Sequence, residues 1–255
     1  MQHHFDLDHI AFFTSALAAE IRAEYRKQTE KYADTLRIQT ALRALWPDLF
    51  PSLLSACMTQ FALQDRAAAT LALPEGSLFT RDALEMASSA AVARLHASLL
   101  PENGRVLEIG AGVGADSAAL ADRAASLLCL ESDPVHARLL RHNLSLLPGI
   151  NATVLRGPAE RLLPAIRLDR FDAVYADPAR RSLSAGDGRR RSIRLEEYSP
   201  PFSLLDSLPD TLPVLVKVAP AAEAPANWSV AAVASAGECK ELLLHRNLDL
   251  PARCA

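Results

Sequence analysis

The sequence predicts a doubly wound α/β fold, its sheet mostly parallel and closed by an antiparallel last strand, preceded by an all-helical N-terminal domain. Three observations predict it. Up to about residue 100 apolar residues recur at helical spacing with no strand signal of weight. From residue 105 short apolar runs alternate with helical ones, the rhythm of strand–helix–strand units. At the change of rhythm, Arg105-Val-Leu-Glu-Ile-Gly-Ala-Gly-Val-Gly-Ala-Asp116 runs an apolar strand into a glycine-rich turn.

Taken in order, residues 10–26 and 35–46 read as helices rich in Ala and Leu, broken by Pro47 and Pro51. Residues 52–73 continue to the turn Pro74-Glu-Gly76. Thr80 reads as the N-cap of a helix through residue 100, closed by Pro101-Glu-Asn-Gly104. Strands are expected at 106–109, 126–131, 152–156, 171–176 and 213–218, short and apolar as strands covered on both faces are. Helices fill 115–124, 134–147, 158–166 and 197–208, and runs 228–234 and 241–245 form an antiparallel pair completing the sheet. The expected division is a helical domain over 1–77, a linking helix over 78–104 and a nucleotide-cofactor domain over 105–250.

Composition narrows the class. The 255 residues suffice for one α/β domain with a helical extension, and 50% hydrophobic with 22% charged residues is ordinary for a soluble protein. A net charge of −3 excludes a global basic field for nucleic acid and leaves room for a local patch. Cys57, Cys129, Cys239 and Cys254 are scattered without a C-x-x-C pair, as expected of buried or incidental reduced thiols in a cytoplasmic enzyme. No apolar run approaches membrane-spanning length, the first residues Met-Gln-His-His-Phe-Asp-Leu-Asp show neither a positive n-region nor an apolar h-region, and no His/Cys/Asp cluster has metal-ligand spacing.

Glycines at 110, 112 and 114 let the backbone turn tightly and approach a ligand, and the helix that follows aims free N–H groups at it. Read as G-x-G-x-x-A (Gly110, Gly112, Ala115), the turn suits a dinucleotide pyrophosphate. Read as E-x-G-x-G-x-G, it matches the first motif of class I S-adenosylmethionine (SAM) methyltransferases, a Rossmann-like fold. Glu108 favours the second template, because an acid at the strand's end suits a ligand bearing an ammonium and a sulfonium and repels a pyrophosphate. Glu131, ending the next strand, takes the ribose diol, since a carboxylate accepts two hydrogen bonds from vicinal hydroxyls. Asp133 competes for that role or caps the helix starting at Pro134. After the third strand Gly157-Pro-Ala-Glu160 offers Ala159 and Glu160 toward the adenine, or as ordinary helix-start residues.

The fourth strand ends in Asp177-Pro178-Ala179-Arg180-Arg181. It resembles the (D/N)-P-P-(Y/F/W) motif of amino-directed methyltransferases, in which a side-chain oxygen and a backbone carbonyl accept hydrogen bonds from the target amine. Asp177 and Pro178 fit that role. Arg180 replaces the aromatic, and a guanidinium plane also stacks on a base. Six arginines lie between 180 and 194; the loop is read either as solvated or as a phosphate grip using Arg180, Arg181, Arg189 and Arg190. Glu197-Tyr-Ser-Pro-Pro-Phe202 is expected to fold back over the pocket. Lys217, ending the fifth strand, either faces the same cleft to meet substrate or is an exposed strand-end charge.

Further segments extend the match. Leu78-Phe-Thr-Arg-Asp-Ala-Leu-Glu-Met-Ala-Ser88 with Val92-Ala-Arg94, then Asp177-Pro-Ala-Arg-Arg181, Tyr198-Ser-Pro-Pro-Phe-Ser203, Val216-Lys-Val-Ala-Pro220 and Gly237-Glu-Cys-Lys-Glu241, resemble in order the signatures of a bacterial family of class I SAM-dependent methyltransferases. That family usually carries a C-terminal THUMP-like domain, which would begin about where Leu250-Pro-Ala-Arg-Cys-Ala255 lies, so it is expected to be absent here. Asp116, directly after the glycines, also resembles the G-x-G-G-[D/N] turn of trimethylguanosine-synthase-like RNA methyltransferases. The resemblance implies a SAM-dependent enzyme acting on an amino nitrogen, with RNA as partner and Asp116 added to the cofactor site. A SAM- and RNA-binding module without catalysis, or a methyltransferase acting on protein or a small molecule, are the other expectations.

Overall fold

The protein, as a computed structural model, is described over residues 8–180, 193–235, 237–250 and 253–254. Helices come first: α1 (Asp8–Phe13), α2 (Ala16–Lys31), α3 (Thr35–Leu45), α4 (Pro51–Thr70), α5 (Arg81–Met86) and α6 (Ala90–Ser98). Local chemistry fixes their starts. Ser15, Asp34, Thr80 and Ser89 each accept a first-turn N–H, and Pro51 opens α4 where no N–H is needed. Ile21, Leu42, Leu54 and Phe61 form a core among these helices. A second cluster joins Leu63, Phe79 and Leu84 to Val113 and Leu139 of the following region, so the helices pack on the sheet domain.

The strands and helices that follow are β1 (Arg105–Ile109), α7 (Ala115–Arg123), β2 (Ser126–Glu131), α8 (Pro134–Ser145), β3 (Ala152–Arg156), α9 (Ala159–Leu162) and β4 (Ala173–Ala176). Then come β5 (Ala179–Arg180), β6 (Tyr198–Ser199), α10 (Phe202–Asp206), β7 (Val214–Val218), β8 (Ser229–Ser235), β9 (Glu238–Arg246) and β10 (Arg253–Cys254). The sheet order is β10-β8-β9-β7-β4-β1-β2-β3. β1 pairs parallel with β2 and β4, whereas β9 runs antiparallel to β7 and β8. The chain therefore winds outward from β1 to β3, then returns to build the other half from β4. That reversal opens a crevice at the carboxyl ends of β1 and β4, where open α/β sheets bind ligands.

Four expected helices are shorter or broken: residues 10–26 divide between α1 and α2, and over 158–166 only Ala159–Leu162 is α-helical, followed by a 3-10 turn over Leu163–Ala165. The helix from residue 80 divides into α5 and α6 because Ser88 and Ser89 spend their hydroxyls elsewhere: Ser89 caps α6, and Ser88 donates to the Asp116 carboxylate at 2.7 Å. Over 197–208 only α10 is α-helical, because Pro200 and Pro201 cannot sit in a helix interior. The residues before them form a ribbon instead, with Ala179 opposite Ser199 and Arg180 opposite Tyr198. Tyr198 Oη anchors that ribbon by accepting the Ala219 N–H at 3.0 Å. Among the described residues no helix is long and apolar enough to cross a membrane.

Candidate active site

The crevice holds a cavity of about 300 Å³. The glycine turn forms its floor, Glu131 to Asp133 one wall, and Asp177 to Arg180 with Lys217 the other; Met86 to Ser88 and the Ser199-Pro200 pair border its mouth.

Glycine is required at 110. Its φ is +81°, and a Cβ there would lie 2.4 Å from the carbonyl oxygen of Asp177. The two turns therefore touch backbone to backbone, which fixes the distance between the glycine cradle and the fourth-strand acid. Gly110→Ala is expected to lower thermal stability, since the backbone strain alone costs about 1–3 kcal/mol, and to weaken SAM binding. Differential scanning calorimetry and titration calorimetry check both. Gly112 is different: a Cβ there would meet nothing within 4 Å, leaving its backbone open to a ligand.

Glu131 is 6% exposed and holds the turn from below. One carboxylate oxygen accepts the Gly112 N–H and the other the Asp133 N–H, both at 2.7 Å. Burial raises its pKa against these two hydrogen bonds. Each oxygen retains a second acceptor site, as a vicinal diol needs. Asp133 serves as helix cap, taking the Val135 and His136 N–H groups at 2.8 and 2.9 Å. Ala159 lines the main cavity, while Glu160 lines a neighbouring hollow with Pro158, Arg161 and Ser199.

Glu108 does not stand where the sequence placed it. Alternation along β1 sends Leu107 and Ile109 to one face of the sheet and Glu108 to the other, among Val106, Cys129 and Tyr175. It is 1% exposed, does not line the cavity, and accepts from the Cys129 thiol at 3.2 Å. Burial pushes its carboxyl up to about 8, which disfavours the anion that a contact to an ammonium needs.

Asp116 lines the cavity but is committed inward. It accepts from His96 Nδ1 at 2.8 Å and from Ser88 at 2.7 Å, and with Glu241 it encloses the fully buried imidazole, whose Nε2 meets Glu241. Tyr175 Oη lies 3.0 Å from the same Nδ1. Burial opposes charge on His96, yet hydrogen bonds and charge from Asp116 and Glu241 carry its pKa up to about 9. Burial likewise opposes charge on Asp116, and its contacts with His96 and Lys217 overcome this and lower it to about 2. Sequence reading missed His96, Tyr175 and Glu241; the signal available was a His within a mostly apolar helix and a Glu opening the apolar run Leu242–Leu244.

These shifts set a pH dependence. His96 and Glu108 bind protons more tightly when folded, so their stabilising effect is whole below their ordinary values of 6.5 and 4.5. It is lost as pH rises through about 9 for His96 and about 8 for Glu108. Asp116 acts oppositely, its contribution vanishing as pH falls from 3.8 toward 2. The melting temperature is expected to decline between about pH 5 and 9, and Glu108→Gln to flatten the lower part of that decline. A pH series of thermal melts checks this.

Asp177 and Lys217 form the far wall. Lys217 Nζ donates to Asp177 Oδ2 at 2.7 Å and to Ser88 Oγ at 3.0 Å, and lies 3.9 Å from Glu241. Lys217 therefore faces the cleft, as one of the two expectations had it, and is not an exposed strand-end charge; its ammonium is engaged by protein partners. Arg180 and Pro178 line the cavity; Arg181, Arg189 and Arg190 lie outside the described residues. Among the described residues no group of three or more His, Cys, Asp or Glu could hold a metal ion.

These residues fit SAM. Glu131 has acceptor capacity for a diol, Gly112 offers open backbone, and the acid-rich wall suits a sulfonium. Residues 76–157 match a family model described as ribosomal RNA adenine dimethylase. No curated protein matches the chain. A crystal structure from Porphyromonas gingivalis W83, provisionally named a methyltransferase, is similar at 26% identity and a TM-score of 0.68, over 91% of this chain and 59% of that one. The chain thus spans little more than half of that relative. Escherichia coli yhhF, also provisionally named a methyltransferase, is similar at 27% identity and a TM-score of 0.41, over 60% of this chain and 79% of that one. The fold is that of the class I methyltransferases, and the cofactor that goes with it is S-adenosylmethionine.

Proposed function

We propose that the protein transfers a methyl group from SAM to an amino nitrogen of an RNA base. The observation that carries this reading is the junction of Gly110 with Asp177. It seats a (D/N)-P-P-type acid and proline on the rim of the cavity that the glycine turn and Glu131 line. Bound SAM supplies a methyl group activated on a sulfonium. Glu131 would hold the ribose, Gly110, Gly112 and Gly114 the backbone cradle, and Ala159 with Glu160 the adenine end. Asp177 and the Pro178 carbonyl would accept the two N–H bonds of the target, leaving the lone pair aimed at the methyl, so that rate comes from positioning.

RNA is favoured by the match of residues 76–157 to a model described as ribosomal RNA adenine dimethylase, and by Arg180 in the cavity lining. Arg181, Arg189 and Arg190 would extend that contact along the phosphates. We also propose 1–77, 78–104 and 105–250 as the domain limits. Incubating the protein with methyl-labelled SAM and total RNA from a strain lacking the gene tests the function. Label is expected on N-methylated bases, with binding that weakens as salt rises. SAM binding without label in RNA would overturn the assignment. Separately, Glu131→Ala is expected to lower SAM affinity by at least about 100-fold, the worth of two hydrogen bonds to a charged group, measurable by titration calorimetry.

A further inference from the structure

Lys217 is a cation at the transfer end of the cleft whose charge turns inward. Its side chain is 12% exposed, and its ammonium faces three partners from three parts of the chain: Asp177 at the end of β4, Ser88 between α5 and α6, and Glu241 on β9. Asp177 therefore has unequal oxygens, Oδ2 occupied at 2.7 Å and Oδ1 without a hydrogen bond among the described residues. A symmetric carboxylate would rotate and offer either oxygen; this one is pinned.

We propose that Lys217, itself aimed by Ser88, is a positioning residue for methyl transfer: it occupies Oδ2 of Asp177 and presents Oδ1 to the acceptor amine. This rests on the amino-directed reading above. The step balances as follows. The amine lone pair forms the N–C bond while the C–S bond breaks, its electron pair leaving with sulfur. One N–H bond breaks, its pair staying on nitrogen and its proton passing to Oδ1. The partly exposed carboxyl then returns the proton to water once product departs.

The charges around Asp177 make Lys217 necessary to that step. Asp116 faces it from α7, Glu241 from β9, and Tyr175 and Glu108, both raised by burial, from β4 and β1. Burial and the two acids raise the Asp177 pKa, and Lys217 is the group that opposes them. Ser88 completes the arrangement by accepting from Lys217 and donating to Asp116, so one hydroxyl separates the ammonium from the second acid.

Lys217→Met, Lys217→Arg and Ser88→Ala test the proposal. The ¹³C carboxyl titration of Asp177, assigned by difference with Asp177→Asn, is read without RNA. Labelled methyl incorporation into total RNA is followed against pH, and SAM affinity by calorimetry. In Lys217→Met the Asp177 midpoint is expected to rise by about one unit or more, the acid limb of the rate to move with it, and the rate at any pH below the wild-type midpoint to fall about tenfold. SAM affinity should stay within about threefold of wild type. Lys217→Arg keeps the charge and should keep the midpoint within about half a unit, at reduced rate. Ser88→Ala should lose about two- to fivefold in rate.

A Lys217→Met midpoint and acid limb coinciding with wild type would overturn the proposal, as would Lys217→Arg titrating like Lys217→Met. If the wild type labels no RNA, the functional assignment falls instead, while the carboxyl titration still decides whether Lys217 governs Asp177.

Discussion

Asp177→Ala is expected to cut methyl transfer by at least about 100-fold while SAM affinity stays within about threefold. Asp177 borders the cavity across from Glu131 and meets the glycine turn through its backbone, so its side chain can leave without disturbing the contacts proposed for the ribose and the backbone cradle. What leaves with it is the acceptor for the target amine and the principal partner of Lys217. Asp177→Asn refines the result. The amide oxygen still accepts an N–H but takes no proton, so an Asn variant well above the Ala variant assigns the effect to hydrogen bonding, and equal losses assign it to charge. Loss of SAM binding in step with loss of rate would remove Asp177 from the acceptor role.

His96→Ala is expected to destabilise the fold by about 3–5 kcal/mol, because it leaves two buried carboxylates without their shared cation. The imidazole is fully buried, with Asp116 on one nitrogen and Glu241 on the other. Chemical denaturation measures the loss directly. The double variant His96→Ala with Glu241→Gln should lose less than the two single losses added together, since one charge then no longer lacks a partner. A loss under about 1 kcal/mol would mean the network is solvated rather than load-sharing.

Much of the fold was legible because strand and helix periods differ. β2 and β3 fall where the apolar runs at 126–131 and 152–156 placed them, and the antiparallel pair β8 and β9 lies at the runs around 228–234 and 241–245. The Ser88–Ser89 interruption was not legible. Its cause is a hydroxyl reaching Asp116 28 residues away, and nothing local distinguishes that serine from one on a helix surface.

The site was legible in part for the same reason. Glu131 and the Asp177 turn are written in contiguous motifs, and the cleft gathers them. Glu108 belongs to such a motif too, but a strand apolar on both faces gives no sign of which side its acid takes. His96 and Glu241 meet across 145 residues of sequence, so only folding brings them together. The Gly237-Glu-Cys-Lys-Glu241 segment announced itself by family resemblance without disclosing what its last carboxylate holds.

The Ser88 interruption changes what counts as a separable piece of this molecule. A fragment cut at residue 105 would keep Gly110, Gly112 and Gly114, Glu131 and Asp177, yet it would lack Ser88 and His96. The ammonium of Lys217 and the carboxylates of Asp116 and Glu241 would then face water or one another. The helical region and the sheet domain are accordingly expected to melt in a single cooperative transition, and an excised sheet domain to be a poor donor for chimeras. The border drawn at residue 104 divides the sequence but passes through the middle of one electrostatic unit.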